Sequence, residues 1–246
     1  MIILEESVDL ATPTGPMRTH LVRPNEGGRY PAIILYSEIF QVTEPIRRMA
    51  MTIAGHGFFV AIPEVFHEFL PPACVLGYDD NGKNRGNELK YTKPVAAHDD
   101  DARALVLALR SHPLVRGPVG AMGVCLGGHL ALRCAIATDI AACACYYGTD
   151  IHTGSLGAWR RDDTLMRMRD ISAEVLFLFG RQDPHVSLEG RRIIKEAADA
   201  SGINYTWHEI NAQHAFLRDE GGRYDPELAR LAYDLALGLF RRRLRD

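Results

Sequence analysis

Short, wholly apolar runs alternate with amphipathic stretches along most of this chain. PAIILY (31–36), FFVAI (58–62) and EVLFLFG (174–180) carry almost no charge, as expected of strands buried on both faces of a sheet. Further strands are predicted at 118–123, 141–147 and 205–210. At the N-terminus two alternating segments, Ile2–Leu10 and Met17–Arg23, flank a Pro-Thr-Gly-Pro turn. Helical periodicity covers 45–56, where Pro45 suits a first turn, and then 99–111, 126–138, 188–201 and 226–244. The acidic triplet Asp99–Asp101 reads as a first turn matched to the helix dipole. Residues 66–94 and the Arg-rich stretch before 170 show no clear period, and the former is long for a plain connection. Strand and helix alternate throughout. This predicts an α/β fold with a mostly parallel central sheet, helices on both faces, and one domain over 1–246.

Composition adds bounds rather than detail. Apolar residues make up 47% and charged residues 24%, and the net charge is −3, which gives no case for nucleic acid or an anionic membrane surface as partner. The terminal RRRLRD reads as the solvated face of a last helix. No signal-peptide pattern opens the chain and no charge-free stretch could span a membrane. The five cysteines are odd in number and lack CxxC spacing, and Cys143 and Cys145 fall on one face of a strand. A reduced, cytoplasmic setting is expected. No histidine pair has zinc-ligand spacing, so no metal or cofactor is expected. A monomer or small homo-oligomer is compatible with all of this.

The candidate chemistry starts at GVCLGG (123–128), a Gly-x-Cys-x-Gly run between a strand and a helix. A nucleophile on such a turn is lifted toward solvent, and small neighbours two residues away permit the turn. The helix start favours a thiolate. The alternative is a small buried thiol in a glycine-rich packing turn. Partners follow in the order this architecture requires: Asp183 after the strand EVLFLFG, and His214 past YTWHEI. Strand ends share one rim of a parallel sheet, so Cys125, Asp183 and His214 should converge. Asp150 is a rival acid, and His185 and His208 are rival bases. His129 is assigned to helix packing. Glu38, between PAIILY and Ile39-Phe40, should be partly buried, either as a site carboxylate or in an ion pair with Arg47 or Arg48.

GVCLGG, GRQDPHV, QHAFLR and SEIFQV together resemble the dienelactone hydrolase family of α/β-hydrolases over nearly the whole chain. The resemblance implies Cys125 as nucleophile, His214 as base and Asp183 as its orienting acid. It also implies that Glu38 helps to generate the thiolate and that the backbone N–H groups of Ile39 and Leu126 form an oxyanion hole. The implied activity is hydrolysis of small carboxylated lactones or related esters through an acyl-thioester. A broader carboxylesterase or thioesterase is the alternative, and a ligand- or oxidant-sensing member of the fold is a third reading. Arg218 matches a family residue that holds a substrate carboxylate, and Arg85 is the nearest counterpart of a second. Tyr146, in a Tyr-Tyr-Gly, and His67, after the fourth strand, are further pocket candidates. Gln41 departs from the family's usual glycine.

Overall fold

The computed structural model describes residues 1–244. The last two residues of RRRLRD, and of the helix and domain spans expected there, lie outside it. Eight strands form one sheet in the order β1 (Ile3–Thr12), β2 (Gly15–Pro24), β4 (Phe59–Pro63), β3 (Tyr30–Tyr36), β5 (Val115–Val124), β6 (Ala142–Tyr146), β7 (Glu174–Gly180) and β8 (Tyr205–Ile210). β1 and β2 make a tight antiparallel hairpin whose ladder closes at Thr12 and Gly15, so the turn is shorter than the four residues expected. β2 runs antiparallel to β4, and every later pairing is parallel. The alternation of apolar runs and helices is what a mostly parallel sheet covered on both faces requires, and the core of β3, β4, β6 and β7 is buried nearly throughout.

Two glycines in β5 show how the faces are covered. A side chain at Gly120 would meet Phe240 of α7 (Pro226–Arg243), whereas one at Gly123 would strike the backbone of α4 (Leu126–Ala137). These positions are an odd number apart, so they point to opposite faces, and a helix lies on each. α1 (Glu44–Gly55) packs on β2 and β4. No helix among the described residues is long and apolar enough to cross a membrane.

The structure departs from expectation mainly in two places. Residues 80–92, read as irregular, form α2 (Asp80–Thr92), capped by the Asp79 carboxylate accepting the Gly82 N–H at 2.8 Å. The next helix, α3 (Val95–Ser111), starts directly after Pro94 rather than at Asp99. The acidic triplet therefore lies inside it, where Asp99 and Asp101 are buried and paired instead of solvated. Asp101 meets Lys93, and Asp99 accepts both arms of Arg133, at 3.0 and 2.6 Å. Three short helical pieces, among them α5 (Thr164–Arg167), occupy the Arg-rich segment, and α6 (Leu188–Ser201) follows β7.

Arg133 is 2% exposed and also donates to Asp163 at 2.6 Å, tying α3, α4 and the segment before α5 together. Replacing it with methionine strands the Asp99 carboxylate. Urea unfolding should show a loss of about 3–5 kcal/mol, the usual penalty for breaking a buried pair from one side. A loss below about 1 kcal/mol, the range of an exposed pair, would contradict it.

Candidate active site

Cys125 joins β5 to α4 with φ 57° and ψ −123°, a left-handed region that a residue with a side chain enters only at a cost. Backbone contacts hold it there. Its N–H donates to the Tyr146 carbonyl at 3.2 Å, and its own carbonyl accepts from Gly128 at 3.0 Å and Thr149 at 3.3 Å. Gly127 has to be glycine because a Cβ there would collide with the Tyr36 carbonyl at the end of β3. The thiol is partly exposed, while Cys134, Cys143 and Cys145 are buried. It stands at the N-terminus of α4, where the helix dipole favours negative charge.

Asp183 follows β7 and His214 follows β8. His214 Nδ1 donates to Asp183 Oδ2 at 2.7 Å, and the other Asp183 oxygen accepts the His185 N–H at 2.7 Å. This leaves the far side of the imidazole for Cys125, whose sulfur acts on the ring electrostatically. Burial disfavours an imidazolium here. The charge on the Cys125 sulfur and then the Asp183 hydrogen bond outweigh it, raising His214 from 6.5 to about 10. The folded value lies above the unfolded one, so the stabilisation is complete below pH 6.5 and lost as pH climbs through about 10. Cys125→Ala removes the sulfur's share. Its urea midpoint should start to fall at the same pH as the parent's but fall less and level off at a lower pH, and parallel pH profiles of the two would contradict this.

Glu38 is 3% exposed at the end of the β3 loop. Burial raises its pKa, and nearby Arg218 and His214 only partly offset this. Tyr78 donates to Glu38 Oε2 at 3.3 Å, and Arg218 approaches the same oxygen at 3.7 Å while stacking over the Tyr78 ring at 4.2 Å. Arg47 and Arg48 are engaged elsewhere, with Glu5 and with Asp219 and Glu220.

Cys125, His214, Glu38, Ile39 and Arg218 line one cleft of about 910 Å³. Leu126 is buried as the first residue of α4. Three pocket candidates from the sequence lie outside this cleft. Arg85 sits on the outer side of α2, 2.7 Å from Glu88, because the cleft-facing positions of that helix are Lys83, Asn87 and Lys90. Tyr146 is buried, with its hydroxyl donating to the Ala232 carbonyl; the neighbouring Tyr147 instead packs edge-on against His214 at 5.0 Å. His67 is turned toward Asp101 at 3.2 Å. His67, Glu68 and Asp101 have the geometry of a cation site, but Lys93 Nζ already lies among them, 2.8 Å from Glu68 and 2.5 Å from Asp101.

The rival candidates have other partners. Asp150 lines the cleft but accepts from Lys90 at 2.8 Å. His185 packs edge-on against His214 at 4.5 Å, His208 lies within β8, and His129 is buried, bonded to the Thr149 carbonyl at 2.9 Å. Tyr78 and Lys90 were not singled out from sequence. The Asp79 cap and the three- and four-residue spacing of Lys83, Asn87 and Lys90 are the signals that mark this face.

The profile of the Dienelactone hydrolase family matches residues 17–244. A protein of Saccharomyces cerevisiae provisionally named carboxymethylenebutenolidase is 36% identical over 257 residues, covering 100% of this chain and 94% of the other. A carboxymethylenebutenolidase of Pseudomonas sp. is 28% identical, with 93% and 91% covered. The crystal structure of a protein from Klebsiella pneumoniae, provisionally described as a dienelactone hydrolase, superposes with a TM-score of 0.83 at 20% identity, covering 98% and 99%.

Proposed function

The chain belongs to the dienelactone hydrolase family and is a hydrolase of lactones or esters; from that premise we propose that it acts on small molecules through Cys125, His214 and Asp183. The observation that carries this reading is the 2.7 Å His214–Asp183 hydrogen bond facing a thiol held on a strained turn.

The Cys125 sulfur attacks the carbonyl carbon, forming a C–S bond and placing negative charge on the carbonyl oxygen. The backbone N–H groups of Ile39 and Leu126 are the donors assigned to that oxyanion. Collapse breaks the C–O bond, and the departing oxygen takes a proton from the His214 imidazolium. His214 then accepts a proton from water as its oxygen attacks the thioester, and sulfur leaves as the carboxylic acid forms. Asp183 keeps Nδ1 protonated and balances the imidazolium. Glu38, its pKa raised by burial beside these groups, is suited to relay the thiol proton to His214, giving the imidazolium that later protonates the departing oxygen.

The test is turnover of a dienelactone and of simple nitrophenyl esters, with Cys125→Ser as control. Cysteine-dependent hydrolysis of either class supports the mechanism, and turnover unchanged in the serine variant refutes it. The position of Arg85 outside the cleft favours a wider ester range over strict selection of a carboxylated lactone.

A further inference from the structure

The end of the cleft formed by α2 and the loop after β6 contains a buried ion pair that the chemistry above does not use. Lys90 is 6% exposed and lines the cleft, and its ammonium donates to Asp150 Oδ2 at 2.8 Å. Tyr91 and Ser155 also donate to Asp150, at 3.1 and 3.2 Å, and Asp150 itself is held at φ 63°. The pair stays charged. Burial alone would neutralise Asp150, but Lys90 outweighs it and brings the carboxyl down to about 2.

An ammonium carries three donors, and the hydrogen bond to Asp150 uses one. Beside the pair, the Thr149 hydroxyl helps to hold the Asp150 carboxyl down, and His152 Nδ1 is buried without a protein partner among the described residues. Buried polar atoms left unpaired beside a cleft are costly unless a ligand or water meets them. The local charge is already balanced, +1 on Lys90 against −1 on Asp150, so an incoming anion gains little there. A neutral group that both donates and accepts suits the pair, accepting from the Lys90 ammonium and donating to the Asp150 carboxylate.

Resting on the hydrolase reading above, we propose that Lys90 and Asp150, with Thr149, form a specificity subsite for a neutral hydroxyl or amide group carried by the ester or lactone. Chemistry is fixed at Cys125, and the adjoining wall selects substrates with a polar, uncharged group.

The experiment compares three nitrophenyl esters that differ only at the far end of the acyl chain: alkyl, hydroxylated and carboxylated. A second series carries the same three ends on the alcohol. The wild-type enzyme should prefer the hydroxylated over the alkyl ester in at least one series by about ten-fold in kcat/KM, the scale of one hydrogen bond to a charged group. In a Lys90→Met/Asp150→Asn double variant, which leaves neither charge stranded, that ratio should fall to within about two-fold of unity. Thr149→Val, which changes no charge, should lower the same ratio, so the proposal does not depend on the double variant folding. Absence of preference in both series, a Lys90-dependent preference for the carboxylated ester, or a preference that survives in the variants would overturn the subsite. Hydrolysis independent of Cys125 would instead overturn the mechanism on which it rests.

Discussion

Cys125→Ala should lower kcat on any turned-over ester by about three orders of magnitude or more, because it removes the sulfur that forms the covalent intermediate. The substitution keeps the Cβ and so keeps the strained φ of 57°, and the backbone hydrogen bonds that hold the elbow remain. Far-ultraviolet circular dichroism should be unchanged, which separates lost chemistry from lost fold. Serine at this position should recover little, since a hydroxyl gives up its proton far less readily than a thiol at neutral pH. Residual activity above about a tenth of the parent's would remove Cys125 from the reaction, because a nucleophile normally contributes far more than that.

Asp183→Asn carries the second largest effect. The asparagine is nearly isosteric, but whichever way its amide is turned it supplies no negative charge. An amide nitrogen facing Nδ1 forces the wrong tautomer, and the imidazolium loses the hydrogen bond that helps raise His214 to about 10. A fall in kcat of roughly three to four orders of magnitude is expected, with a much smaller change in KM. Alkylation of Cys125 by iodoacetamide should slow in parallel, because the thiolate loses its cationic partner. If kcat holds while KM rises, Asp183 serves the cleft wall rather than the base.

The central strands were legible because they are apolar on both faces, and the residues gathered at the cleft because each follows a strand of the parallel part of the sheet. Cys125, Asp183, His214 and Glu38 all lie within a few residues of a strand end. What escaped was the polar wall. α2 reads DNGKNRGNELKYT and has few apolar residues to bury, since one side faces the cleft and another faces solvent. Periodicity reports burial, and this helix buries little beyond Leu89 and the Lys90 stem. The start of α3 was misplaced for the opposite reason: Asp99 and Asp101 look like a solvated first turn, yet they are neutralised in the interior by Arg133 and Lys93, partners distant enough in sequence to leave no local signal. Gln41 is a related case. It holds φ 68°, which explains why glycine suits this position, and its buried amide has no partner among the described residues.

The outermost strand, β1, has a further consequence. Among the described residues one side of its backbone has no neighbour in the sheet, yet it carries Glu5, Glu6 and Asp9, whose charges are balanced inward, by Arg47 of α1 and by Arg23 and Arg18 of β2. A second copy approaching edge to edge brings carboxylates against carboxylates. Growth of the sheet from molecule to molecule is thereby opposed, and concentrated solutions are protected from fibrillar aggregation at this edge.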